Sequence, residues 1–133
     1  PSKESCPYLD VLLYGSLKKK GIHKSALLDT GAFLSVISAK LFHELSLRGN
    51  LEVFPCDMEL IMGDGRVIEA LGKTTLSFDV PRWDSKGVLT FSESLIVIPM
   101  ADNAPVDLII GYQTILDKDL FSTSKSRFHL VRR

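Results

Sequence analysis

The residues of this chain that could do chemistry converge on one short run, Asp29-Thr30-Gly31-Ala32, which ends the apolar stretch Ala26-Leu27-Leu28. Cutting an amide without a metal, a serine or a cysteine requires an activated water. Two carboxylates that share one proton can supply it. The ionised one takes a proton from the water, and the neutral one donates to the carbonyl oxygen. Like charges about 3 Å apart cannot both ionise, so the two pKa values of such a pair split. The neighbours of Asp29 then have physical tasks. Leu27 and Leu28 anchor it in a core, Thr30 can hold the base of the loop by hydrogen bonds, and Gly31 lets the backbone turn close to the carboxylate. Asp-Thr-Gly also occurs in plain turns, because Asp and Gly are common turn formers. A given tetrapeptide arises by chance in on the order of one in several hundred chains of this length. Context separates this run from that background. An apolar stretch precedes it, β-branched Val36-Ile37 follows it, and a second apolar-apolar-glycine element, Ile109-Ile110-Gly111, lies downstream.

Other chemistries find little support. Cys6 and Cys56 lack the spacing of a metal clamp and are too few for a disulfide framework. A reducing compartment is the simpler expectation, and a Cys6–Cys56 bridge has nothing in its favour. His23, His43 and His129 are scattered and match no ligand motif. No metal or cofactor is expected. Lys+Arg and Asp+Glu balance at 16 each, so there is no electrostatic reason to seek nucleic acid or an anionic membrane. The dense basic run Lys18-Lys19-Lys20 sits between Gly15 and Gly21 and reads as a solvated turn. No apolar stretch approaches the ~20 residues of a membrane span, and no signal segment opens the chain. Pro1 is not a start residue, so the chain reads as a processed or excised segment.

The elements that must position Asp29 are short strands. The 133 residues are 45% hydrophobic and 24% charged, a globular composition and enough for one domain. Strands are expected at Leu9 to Tyr14, Ser25 to Leu28, Val36-Ile37, Glu52 to Met62, Arg66 to Ala70, Thr74 to Val80, Val88 to Pro99 and Leu108 to Ile110. Gly15 to His23, Pro81 to Gly87 (carrying Trp83) and Met100 to Pro105 read as turns and loops. Gly63-Asp64-Gly65 reads as a tight hairpin turn. In Thr74 to Val80, Leu76, Phe78 and Val80 face one way and Thr75, Ser77 and Asp79 the other. Ser38 is a plausible N-cap for a helix over Ala39 to Leu45, with Leu41, Phe42 and Leu45 on one face and Gly49-Asn50 as its stop. A second helix is expected over Gly111 to Leu120, with Ile115, Leu116 and Leu120 inward, and a last strand at Phe128 to Val131.

The segment from Ala26 to Ile37 resembles the active-site segment of the retropepsins, the proteases of retroviruses and LTR retrotransposons. Asp107 to Leu116 resembles the same family's second signature, an Ile-Ile-Gly followed by a short helix. The resemblance runs in order from about Leu9 to Leu120. It implies a mainly β, retropepsin-like half-barrel as a single domain over residues 1–133, with core 9–120 and segment 121–133 a candidate for the dimer interface. It implies that Asp29 is the catalytic carboxylate, that Thr30 makes cross-subunit hydrogen bonds and that Gly31 meets the substrate backbone. Gly63-Asp64-Gly65 would be the flap tip, flanked by Met62 and Arg66, and Ile110 and Gly111 would pack behind the active-site loop. Ala32, Phe33, Leu34 and Val67 join Met62 as expected substrate contacts. Many retroviral members carry acids at the positions of Phe33 and Leu34 and an arginine at that of Tyr112, a pairing this chain lacks on both sides.

Only one Asp-Thr-Gly is present, so a dyad needs a second chain, and a two-fold homodimer is the simplest source. Its end strands would come from Phe128 to Val131 or, less well, Pro7 to Leu9. The expected activity is aspartic endoproteolysis of an extended polypeptide, such as the parent polyprotein, in the cytoplasm or within a virus-like particle. Two alternatives stand beside it. One is a retropepsin-like domain of a cellular protein, used for limited proteolysis or dimerisation; the other is a non-catalytic β-barrel binding module.

Overall fold

Among the described residues, alternating apolar runs form eight strands, and two short amphipathic runs form helices. The computed structural model describes residues 8–49, 51–62, 64–82 and 87–120. The elements are β1 (Tyr8–Tyr14), β2 (Ile22–Leu28), β3 (Val36–Ser38), α1 (Ala39–Ser46), β4 (Glu59–Ile61), β5 (Val67–Glu69), β6 (Gly72–Pro81), β7 (Val88–Ile98), β8 (Leu108–Ile110) and α2 (Tyr112–Asp117). Among these residues no helix is long and apolar enough to cross a membrane.

Six strands close a barrel in the order β1-β2-β8-β3-β7-β6, and β4 and β5 form a separate two-stranded hairpin. Most neighbours run antiparallel, but β2 pairs with β8 and β3 with β7 in parallel. Period-2 alternation fills the interior. Leu9, Val11 and Leu13 of β1, and Leu76, Phe78 and Val80 of β6, point inward and are buried. Phe78 stacks on Phe91 with ring centroids 5.1 Å apart. Leu41 and Leu45 of α1 and Ile115 of α2 plug the same core, with Phe42 packed against it. A second, smaller cluster of Val36, Ile96 and Ile98 receives Leu34, Ile109, Leu60 and Ile68, and so ties the β4–β5 hairpin to the barrel.

The expected helix over Ala39 to Leu45 is present and runs to Ser46. The Ser38 hydroxyl accepts from the Leu41 amide at 3.0 Å, the N-cap bond its sequence position implied. The helix ends at Leu47, ahead of Gly49. Several other expectations are corrected. The turn after β1 stops at Gly21 and not at His23: a short 3-10 turn over Lys18–Lys20 delivers the chain to β2, where His23 pairs with Leu12. A side chain at Gly21 would meet the Leu13 carbonyl at 2.8 Å, and this close approach lets the ladder resume at once. Residues 52–58 are not a strand, apart from an isolated bridge between Phe54 and Lys73; Pro55, lacking an N–H, stands in the middle of that stretch. Asp79, expected outward, is buried, because Lys18, Tyr14 and Thr90 close over it. The second helix spans Tyr112–Asp117 with Gly111 as its N-cap, and Leu116 is half-exposed. Thr114 and Ile115 face the core, which turns Leu116, 100° further round, outward. The expectations for Phe128 to Val131, Pro7, Cys6, His129, Asn50, Trp83 and Gly63 lie outside the described residues.

Candidate active site

Two parts of the chain about eighty residues apart build the loop that carries Asp29. β2 ends at Leu28, which pairs with Ile110 of β8, and the Asp29 amide donates to the Ile110 carbonyl at 3.0 Å. The backbone then turns: the Ala32 amide returns to the Asp29 carbonyl at 3.1 Å, and the Gly31 amide donates to Asp29 Oδ1 at 2.9 Å. One carboxylate oxygen is thereby held by the loop's own backbone. A Cβ at Gly31 would sit 3.2 Å from that oxygen, so any side chain there would press the carboxylate slightly aside.

Gly111 closes the loop from behind. Its amide donates to the buried Ser35 hydroxyl at 3.0 Å, and the next amide, of Tyr112, donates to the Ala32 carbonyl at 2.8 Å. The Ser35 carbonyl in turn accepts from Ile96 of β7 at 3.0 Å. A Cβ on Gly111 would lie 2.7 Å from the Leu34 carbonyl carbon and 3.0 Å from the Ala32 oxygen. Nothing larger than glycine fits between the two segments as they stand. Beside this clasp, Asp107 accepts from the Ser38 hydroxyl at 2.9 Å and meets Lys24 at 3.6 Å, which joins the approach to β8 with α1 and β2.

Asp29 opens onto a cleft of about 580 Å3. The Asp29 loop contributes Gly31, Ala32, Phe33 and Leu34 to its lining, and the segment from Met58 to Met62 contributes the hairpin side. Val36, Ile98 and Ile109 complete the apolar floor. Of the expected site residues, the structure therefore brings together Asp29, Gly31, Ala32, Phe33, Leu34 and Met62. Thr30 is exposed beside them, outside the cleft wall. Asp64, Gly65 and Arg66 lie away from the cleft, at the turn of the hairpin. There the Arg66 amide and guanidinium bind the Asp64 carboxylate at 3.0 and 2.7 Å and hold its pKa below the ordinary value. Gly65 takes a positive φ of 91°, the backbone the tight turn requires. Val67 is a correction: it pairs with Ile61 and is exposed, whereas the next cross-strand pair, Leu60 and Ile68, packs toward the barrel.

Sequence reasoning missed Met58, Leu60, Val36, Ile98 and Ile109 as cleft residues, and Ser35 as the acceptor for Gly111. The signal for the first two was the spacing Met58, Leu60, Met62, which places all three on one face of an extended chain. Among the described residues no group of His, Cys, Asp and Glu could hold a metal ion.

No protein-family model matches the sequence, and no curated protein matches it. Among solved structures it is similar to the EIAV protease complexed with the inhibitor HBY-793, at 18% identity and a TM-score of 0.59, over 84% of this chain and 86% of that one. A second similar structure is the retroviral protease-like domain of Ddi1 from Leishmania major, at 19% identity and a TM-score of 0.47, over 84% and 76%. The first likeness shows the fold, which is retropepsin-like.

Proposed function

We propose that the chain is an aspartic endopeptidase that acts as a homodimer, with Asp29 of each copy supplying one carboxylate of a shared dyad. The carrying observation is the placement of Asp29: at the end of a barrel strand, fixed by the Gly31 amide, at the floor of an apolar cleft bordered by a hairpin. The likeness in fold to the EIAV protease supports the same reading. The cleft's other acid, Glu59, belongs to β4 on the opposite side, so the second carboxylate comes from a second copy. An extended peptide lies between the β4–β5 hairpin and the loop. Backbone hydrogen bonds hold it, and alternate side chains enter apolar pockets. The dyad activates a water, and closure of the hairpin shields the reaction from solvent. The substrate we assign is the parent polyprotein, in the cytoplasm or within a virus-like particle.

The test is direct. Purified chain is incubated with apolar peptides between about pH 4 and 7, where a split dyad is singly protonated. Cleavage is expected, and Asp29→Asn is expected to abolish it. Cleavage retained by Asp29→Asn sinks the assignment.

A further inference from the structure

Two of the chain's three methionines occupy the hairpin side of the cleft. Met58 accepts from the Ala70 amide at 2.9 Å, at the root of the hairpin. Met62 donates to the Arg66 carbonyl at 2.8 Å and accepts from Gly65 at 2.9 Å, next to its turn. Both line the cleft, and neither belongs to a packed core cluster; Met58 is 37% exposed. The third, Met100, is half-buried against the Val36–Ile98 cluster. The pair therefore presents two thioethers to whatever enters the cleft. Their place on the cleft wall, outside the packed clusters that hold Met100, leaves their side chains facing the space a dissolved oxidant enters.

We propose that Met58 and Met62 form a redox-sensitive wall of the substrate cleft, and that their oxidation by a hydroperoxide closes the site to apolar peptides. This rests on the protease reading above. Each step is a two-electron oxygen transfer. The thioether sulfur attacks the distal oxygen of the peroxide, the O–O bond breaks, one S=O bond forms, and water (or an alcohol) leaves. The sulfide is oxidised and the peroxide reduced. The product is polar, and a substrate side chain that entered an apolar wall now meets a sulfoxide oxygen it cannot hydrogen-bond. Neither residue touches the loop that holds Asp29 through any hydrogen bond described above, so the effect falls on substrate binding and not on the dyad. Thioethers suit such a wall for a second reason: their flexibility lets one cleft accept side chains of several shapes.

The experiment treats the intact chain with mild hydrogen peroxide, then with dithiothreitol, which reduces any disulfide or sulfenic acid at Cys6 and Cys56 but leaves methionine sulfoxides in place. Peptide mass spectrometry follows each methionine while cleavage of an apolar peptide is measured. Met58 and Met62 are expected to oxidise ahead of Met100, with kcat/KM falling about ten-fold or more, mainly through KM. Whatever its own starting rate, the double variant Met58→Leu with Met62→Leu is expected to show the same rate before and after the treatment, and Met100→Leu to lose activity as the unsubstituted chain does. If the double variant loses activity in parallel, or the doubly oxidised chain retains it, the redox wall is overturned and the protease reading stands. A chain inactive before any oxidant is added overturns both.

Discussion

At the scale of single residues, the loop that carries Asp29 depends on what is absent from Gly111. The Leu34 backbone fills the space a methyl group would need, and backbone cannot rotate aside as a side chain can. Gly111→Ala is expected to displace the loop and destabilise the fold by about 1–3 kcal/mol, with a larger loss of activity than of stability. Chemical unfolding set beside peptide cleavage measures both. Asp79 governs a different property. Burial pushes its carboxyl pKa up, but donors from Lys18 (2.6 Å), Tyr14 (2.8 Å) and Thr90 (3.0 Å) outweigh burial and hold it below the ordinary value. Oδ2 has the Lys18 ammonium as a close ion pair, without the alignment of a good hydrogen bond. The Tyr14 hydroxyl, donating to that carboxylate, has its own pKa raised. A carboxyl more acidic in the folded chain than the unfolded value of about 3.9 stabilises the fold above that pH, and the contribution is lost as pH falls through the folded pKa. Asp79→Asn is therefore expected to cost about 1–2 kcal/mol at pH 7. The gap to the unsubstituted chain should narrow below about pH 4. Urea unfolding across the range reads this, and a gap that stays constant down to pH 3 removes the ionisation argument.

At the scale of elements, α1 is anchored at its start by a single residue, whereas the β4–β5 hairpin is held by a short ladder. Ser38, 1% exposed, accepts from Leu41 and donates to Asp107, so one hydroxyl caps α1 and ties it to the entry of β8. Ser38→Ala is expected to lower stability by about 1–2 kcal/mol in thermal or urea unfolding. β4 and β5 pair over three residues each, with Ile61 and Val67 exposed on one side, whereas β6 and β7 pair over ten positions around a buried core. Amide hydrogen exchange at Met62 is accordingly expected to be orders of magnitude faster than at Phe78 or Phe91. These elements also mark how far the sequence could be read. Strands with clean alternation, β1 and β6, and the capped helix α1 were legible because their local pattern is their burial pattern. Residues 52–58 were not, because the apolar residues Val53, Phe54, Cys56 and Met58 suggested an extended run without saying whether a partner strand lies alongside, and Pro55 was the one local mark against it. Leu116 and Asp79 failed for a related reason. The side each faces was set by neighbours distant in sequence: the barrel against Thr114 and Ile115, and a lysine turn folded over β6.

At the scale of the molecule, the pairing of β2 with β8 and of β3 with β7 was beyond sequence reasoning, since parallel neighbours are joined by long connections that carry no local mark. The resemblance at Asp29 and Gly111 pointed to their closeness, and the barrel supplies the mechanism, placing β8 beside β2 so that Ile110 receives the Asp29 amide. The barrel presents one carboxylate at the loop, and the dyad reading makes the dimer the catalytic unit. That has a quantitative consequence. If copies exchange freely and only a pair of intact chains is active, activity per intact chain falls with the fraction of partners that are intact. Adding an equal amount of Asp29→Asn chain to a fixed amount of the unsubstituted chain should then about halve the rate, and a nine-fold excess should leave about one tenth. The substitution keeps a side-chain oxygen for the Gly31 amide, the Tyr112 amide's bond to Ala32 and the residue-29 amide's bond to the Ile110 carbonyl, so the variant is expected to remain a competent partner. A chain that cleaves alone gives a rate indifferent to the added variant, as does a dimer that never exchanges. Sedimentation of the two chains, mixed at assay concentration with one carrying a fluorophore, separates those cases: a non-exchanging dimer stays unlabelled yet sediments as a dimer, whereas an active monomer sediments as one chain and ends the dyad argument.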